Sequence, residues 1–159
     1  MSIITAGTGA TNPITITGNT DGTVVVKTND TGSGGTTAVT FDTAQSMNLS
    51  GSYTEGVVAI GTVTTSNTLS LASGTVQTAT LTASTACTFT MPTNTAGKSF
   101  VLLLKQAAST GNGTATFTGV KWGTSGAPTI TATAGKMDIL TFIADGTNWY
   151  GSIIQGYTP

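Results

Sequence analysis

The segment Lys136 to Ile154, KMDILTFIADGTNWYGSII, constrains the fold more than any other part of the chain. Two apolar runs flank Asp145-Gly146. Such a pair suits a two-residue hairpin loop, because both central residues tolerate positive φ at low cost. Side chains alternate along a strand. Met137, Ile139, Thr141 and Ile143 therefore point one way, and Asp138, Leu140, Phe142 and Ala144 the other. Beyond the turn, Trp149, Gly151 and Ile153 share one face and Tyr150, Ser152 and Ile154 the opposite one. Apolar groups on both faces imply a strand that is covered on both sides.

The rest of the chain is rich in threonine and glycine. Disordered chains with such a composition usually lack β-branched and aromatic residues. Here Thr, Val and Ile recur throughout, and these suit a pleated surface. Glu55 is the only glutamate among 159 residues, and helix formers are scarce. The expectation is an all-β protein.

Charge narrows the function classes. Only 7% of residues are charged, against roughly a quarter in an average globular protein. There are five lysines, no arginine and no histidine, and the net charge is -1. No basic patch is available to neutralise phosphates, so no nucleic-acid partner is expected. Little repulsion keeps copies apart, which favours self-association or docking on something larger over a monomer with a neutral surface. No run of about 18 apolar residues suggests a membrane span. The start, MSIITAGTGATNP, has no lysine or arginine and no continuous apolar run, unlike a secretory signal. An extracellular-looking composition without an export signal fits a virion component made in the cytoplasm and released by lysis, or a substrate of a non-classical secretion route.

Taken in order, residues 1 to about 12 read as a flexible arm. Short strands follow at Ile14–Thr17, Thr23–Thr28 and Thr36–Asp42, separated by glycine-bearing turns and the loop Asn29–Gly35. Thr43–Glu55 reads as irregular. Further strands are expected at Gly56–Thr64, Thr68–Leu71, Val76–Leu81, Cys87–Met91, Ser99–Lys105, Thr114–Phe117 and Pro128–Thr133, with Val120–Gly123 a strand end or loop. Pro92 closes one of them, since proline cannot donate to a ladder. A soft boundary near Gly74 divides an N-terminal region, residues 1–73, from a denser domain, residues 74–159. Strands at this spacing with turn signals between them predict a sandwich or barrel. The absence of a fixed-period repeat disfavours a propeller or a solenoid.

The chemistry is sparse. Without histidine there is no Ser-His-Asp triad, and nothing activates the single cysteine, Cys87, which reads as an inert core thiol. One cysteine also excludes an intramolecular disulfide and a cysteine-based zinc site. Ala96-Gly97-Lys98-Ser99 lacks the upstream glycine of a phosphate loop, since Pro92 stands there, and a strand rather than a helix follows it. Asp145 is explained by its turn, and the other acids match no calcium repeat. Gly7-Thr8-Gly9 and Gly111-Asn112-Gly113 are turns. No enzyme, cofactor or metal site is expected. Trp149 reads as core. Trp122, between Lys121 and Gly123, reads as an exposed or interface aromatic able to stack on a sugar or anchor a partner.

From Ala79 to Tyr157 the motifs TACTFTMPTNTAGKSFVLLLKQ, TFTGVKW and APTITATAGKMDILTFIADGTNWYG follow one another in an order that resembles a module of tailed-bacteriophage virion structural proteins. The N-terminal DGTVVVKTND and TTAVTFDTAQSMNLSG resemble the short β-units of phage tail fibres. The resemblance implies a non-enzymatic virion part, often trimeric, on tail fibres or on head fibre and head decoration proteins. The resulting expectation is a jelly-roll-like β-sandwich preceded by a smaller N-terminal β-region or arm. Its expected role is a capsid decoration (cement) protein on the virion surface, bound to the major capsid protein of a phage head. A tail fibre or tail-tip module binding host-surface glycans is the alternative. Leu140, Phe142, Tyr150 and Ile154 are read as one face, opposite Met137, Ile139, Trp149 and Ile153. Self-association as a homotrimer is expected through Leu140, Phe142, Tyr150 and Trp122, with the number three supplied by the resemblance. An arm including Val24 to Val26 and folding back over the same face is the competing arrangement.

Overall fold

The structure is a computed structural model, and it describes residues 23–28, 36–41, 44 and 46–159. The arm at 1–12, the strand at 14–17, the turn at 18–22 and the loop at 29–35 lie outside the described residues. No helix occurs among the described residues, and the protein is all-β.

The chain forms two compact units that divide between Thr54 and Glu55. The first contains β1 (Val24–Thr28), β2 (Thr36–Phe41) and β3 (Met47–Leu49), joined antiparallel in the order β1-β2-β3. β3 occupies a stretch expected to be irregular. Val25, Val26, Phe41, Met47 and Leu49 are all exposed, and among the described residues this sheet buries no hydrophobic side chain.

The second unit, Glu55–Pro159, holds the core. Its strands are β4 (Val57–Val63), β5 (Ser66–Thr68), β6 (Val76–Leu81), β7 (Ala86–Thr90), β8 (Ser99–Lys105), β9 (Thr114–Thr118), β10 (Val120–Lys121), β11 (Met137–Ala144) and β12 (Trp149–Tyr157). From β4 to β9 the chain alternates between two sheets. β4, β6 and β8 lie side by side in one, and β5, β7 and β9 in the other. Every pairing within these six strands is parallel. This is the path of a short β-solenoid, one strand per sheet in each coil. β11 then runs antiparallel to β8, β12 antiparallel to β11, and β10 parallel to β12, giving a six-stranded sheet β10-β12-β11-β8-β6-β4.

The jelly-roll expectation is therefore corrected. A jelly roll is built from antiparallel Greek keys, whereas here successive coils stack in parallel. The solenoid was hidden because its coils differ in length. Val57 faces Val76, but Val76 faces Val101, a longer step that takes in the irregular stretch before Ser99. No fixed period results. The boundary near Gly74 is also displaced, because β4 and β5 pair with β6 and β7 and so belong to the second unit.

Alternation decides what is buried. β6, β8 and β11 send Ala79, Leu81, Phe100, Leu102, Leu104, Leu140 and Phe142 inward to meet Leu69, Cys87 and Phe89 from the other side. Aromatic rings join the two sheets. Phe89 stacks on Phe117 at 5.1 Å, Phe117 lies 5.5 Å from Phe142, and Phe142 stacks on Phe100 at 4.8 Å. Phe100 then meets Trp149 edge-on at 5.3 Å, and the Trp149 indole N–H donates to the Pro92 carbonyl at 2.8 Å.

Pro128–Thr133 is not a strand. No ladder forms there; polar side chains bond several of its backbone groups, while the Ala132 and Thr133 carbonyls accept the Asn112 and Lys136 N–H groups. The buried Asp138 carboxylate accepts the Thr131 N–H through Oδ2 (2.7 Å) and the Gly156 N–H through Oδ1 (3.0 Å). Gln106 Nε2 donates to the Thr131 and Gly113 carbonyls, and Gln155 Nε2 donates to the Thr129 carbonyl. Buried polar groups are tolerable when paired in this way.

Candidate functional site

The side of the six-stranded sheet that faces away from the core is the candidate site. Register fixes its rows. Tyr150, Ile143 and Ser99 lie abreast at one end. Ser152, Thr141, Val101, Val76 and Val57 form the next row, and Ile154, Ile139 and Leu103 a third. Tyr157, Met137, Lys105 and Thr80 close the opposite end. Aliphatic and hydroxyl side chains dominate. Ile143 is 56% exposed, Ile154 63% and Val57 62%, so nothing in the second unit covers them. An apolar surface of this kind on a sheet usually marks an interaction site.

The end near Ser99 is held by the loop after β11. Ala144 pairs with Trp149, so the loop comprises residues 145–148 and is longer than the Asp-Gly pair expected. Asp145 does not act through positive φ; only Gly146 has it, at +95°. The Asp145 carboxylate instead caps the loop. Its Oδ1 accepts the Thr147 and Asn148 N–H groups, both at 2.7 Å, and its Oδ2 accepts the Tyr150 hydroxyl at 2.9 Å. The Asn148 N–H, then the Thr147 N–H and the Tyr150 hydroxyl, hold the Asp145 carboxyl below the usual carboxylate range. The same bond and charge push the Tyr150 phenol up. Glu55 stands at this end too, accepting the Thr75 hydroxyl. Thr141 and Ser152 share a 2.5 Å hydroxyl–hydroxyl bond across β11 and β12. A shallow depression of about 420 Å³ opens here between Glu55, Val101, Ile143 and Tyr150. A second, of about 280 Å³, lies toward Lys105, between Ala59, Thr78, Leu103 and Met137.

The expected interface residues separate. Tyr150 is on this face and exposed. Leu140 and Phe142 are not; they are 0% and 2% exposed and point into the core. Paired residues of an antiparallel ladder share a face, and Leu140 faces Ile153 while Phe142 faces Gly151. Leu140 and Phe142 thus belong with Trp149 and Ile153, and Tyr150 and Ile154 with Ile139 and Ile143. Trp122 is also corrected. It is half-buried, its ring lying edge-on to Phe117 at 5.9 Å and to Phe142 at 6.0 Å. It packs the core edge rather than offering a stacking platform. The residues that were overlooked are Ile143, Ile154, Val57, Val101 and Leu103, and strand alternation carried the signal for each.

Elsewhere, Cys87 is buried on β7, and burial pushes its thiol up. The turn at Gly97 leads into β8, not into a helix. Among the described residues no three acidic or thiol side chains come together as a metal site. No protein-family model, no curated protein and no solved structure matches the chain.

Proposed function

We propose that this chain is a non-enzymatic structural component of a tailed-phage particle, and most simply a head decoration protein that docks on the assembled capsid and stabilises it. The observation that carries the proposal is the exposed apolar face of the six-stranded sheet. A chain with few charges and such a face is suited to a surface role in a larger assembly. Binding that favours the assembled shell adds to its stability by mass action. The resemblance of residues 79–157 to virion modules supplies the setting.

Self-association belongs to this reading. The homotrimer expected from the hairpin assumed that Leu140 and Phe142 share a face with Tyr150 and Ile154, a face that the fold does not contain. The contact passes to Ile143, Tyr150, Ile154 and their neighbours instead.

A tail fibre or tail-tip module is the second reading, and one observation favours it. Coils stacked in parallel grow along a single axis, as in repeat architectures that build elongated bodies. A glycan ligand in that reading no longer has Trp122 as its platform. Electron microscopy of particles produced with and without this chain separates the two. Added density on the head lattice, with greater resistance of the head to heat, is the expected result. Density confined to the tail replaces it with the second reading, and no density on either removes both.

A further inference from the structure

We propose that the outer face of the six-stranded sheet is self-complementary and pairs with the same face of a second copy of this chain, about a two-fold axis that lies in the plane of the contact and runs across the strands. This goes beyond the role above by naming a second copy as the occupant of this face, so that contact with a capsid falls to other surfaces of the pair. It rests on that reading only in taking this face as an interaction surface.

The argument is the distribution of charge. Glu55 and Asp145 stand at the Ser99 end of the face. Lys105 stands at the other end, in the row of Met137 and Tyr157. Lys136 adjoins it, its Nζ donating to Thr158 Oγ1 at 2.5 Å. The rows between carry no charge. Of the remaining charged side chains of this unit, two lie off this face and one offsets the acid end in part. Asp138 points inward and is fully buried. Lys98 lines a different depression, with Ser70, Met91 and Pro92. Lys121 pairs with Tyr150 and so shares the row of the acid end, at its far corner on the short outermost strand β10, where it offsets one of the two acids and leaves that end net negative.

A face with acids at one end and lysines at the other is matched by itself only after a half turn. Two-fold pairing lays Glu55 and Asp145 of each copy toward the lysine end of the other and closes the aliphatic middle away from water. Stacking the copies in the same direction sets like charges opposite one another, which costs free energy. The two-fold contact is isologous and closed, so it uses up both copies of the patch and leaves no surface for open-ended growth. A net charge of -1 leaves little repulsion to resist it.

The test is the mass of the full chain in solution, by sedimentation over a concentration series. The expected species is a dimer that dissociates on dilution. Ile143→Lys, at an exposed position that the fold does not need, weakens it at least about tenfold, with circular dichroism showing the fold retained. Lys105→Glu weakens it about two- to fivefold, and adding Glu55→Lys in the same chain restores it to within about twofold of wild type. A wild-type chain that stays monomeric at about 1 mM, a trimeric or larger closed species, or a dimer indifferent to both Ile143→Lys and the charge exchange overturns the proposal. A monomer that nevertheless decorates phage heads overturns the pairing and leaves the virion role intact. A dimer that never joins a particle does the reverse.

Discussion

The indole of Trp122 fills the space that a β-carbon on Gly151 would need: such an atom would lie 2.6 Å from Cζ3 and 2.8 Å from Cη2 of the ring. The ring cannot retreat easily, because Phe117 and Phe142 hold it edge-on. Glycine at 151 is therefore a packing requirement on the inner face of β12. Gly151→Ala is expected to destabilise the protein by about 1–3 kcal/mol, the usual cost of overfilling a packed site. Urea denaturation checks it. Pairing Gly151→Ala with Trp122→Ala should recover part of the loss, and a purely additive double variant would falsify the steric account.

Phe142 sits where the ring stack crosses between sheets. Phe142→Ala is expected to cost about 3–5 kcal/mol, from lost burial and the cavity left behind. The effect should fall on the denaturation midpoint of the isolated chain, whatever its oligomeric state. Ile154→Ala, on the outer face, should change that midpoint little. Similar losses for the two would mean that the inner and outer faces have been exchanged.

Asp138 accepts two backbone N–H groups through its two carboxylate oxygens. Asparagine has one acceptor oxygen, and its amide would face the second N–H. Asp138→Asn is expected to cost about 1–3 kcal/mol and to loosen the segment around Thr131 and the end of β12. Hydrogen exchange at the Thr131 and Gly156 amides reads this directly. Unchanged protection at both would refute it.

Asp145 gives the stability an acid dependence. Its folded pKa lies below the unfolded value of about 3.9. The stability it contributes is thus in place above that value and is lost as pH falls through the folded one. Asp145→Asn keeps a capping oxygen in the loop and should flatten the acid limb of a stability–pH curve below about pH 4. The same change should let the Tyr150 phenol fall back toward about 10, which NMR titration of the ring detects. An unaltered Tyr150 titration would sever the proposed link between the two residues.

Burial leaves the Cys87 thiol inert. A disulfide reagent should label it only through unfolding, at a rate that rises with urea as global opening does. Fast labelling of the native chain would place Cys87 outside the core.

Much of the strand inventory could be read from residues. Ser99–Lys105 and Met137–Ala144 are dense apolar alternations, and Pro92 marks the end of its strand region as proline should. The hairpin faces were legible too, yet the expectation grouped Leu140 and Phe142 with Tyr150 and Ile154, the wrong partners across the turn. A two-residue loop and the observed one differ in register, yet both put Phe142 on the face of Trp149. The connection between strands was not legible. Parallel pairing of β4 with β6 and of β6 with β8 depends on contacts across coils of unequal length, and no local signal specifies them. The stretch 128–133 misled because its alternation is strand-like, while its hydrogen bonds go to the side chains of Gln106, Asp138 and Gln155, which no strand pattern announces. Trp122 misled for a related reason. Its flanking Lys121 and Gly123 suggest exposure, and only the slot over Gly151 draws the ring inward.

The parallel coil has a consequence for how the chain reaches its native state. Within the second unit, β11 with β12 is the one pairing between strands adjacent in sequence. All the others close longer loops, whose entropy must be spent before a bond forms. The hairpin is thus the natural seed, β8 adds to it, and earlier coils accrete backwards toward β4. Ribosomes deliver the chain in the opposite direction. The coils emerge first, with unpaired edges, and wait for a template that follows them, so the second unit is expected to close only once β12 has cleared the exit tunnel.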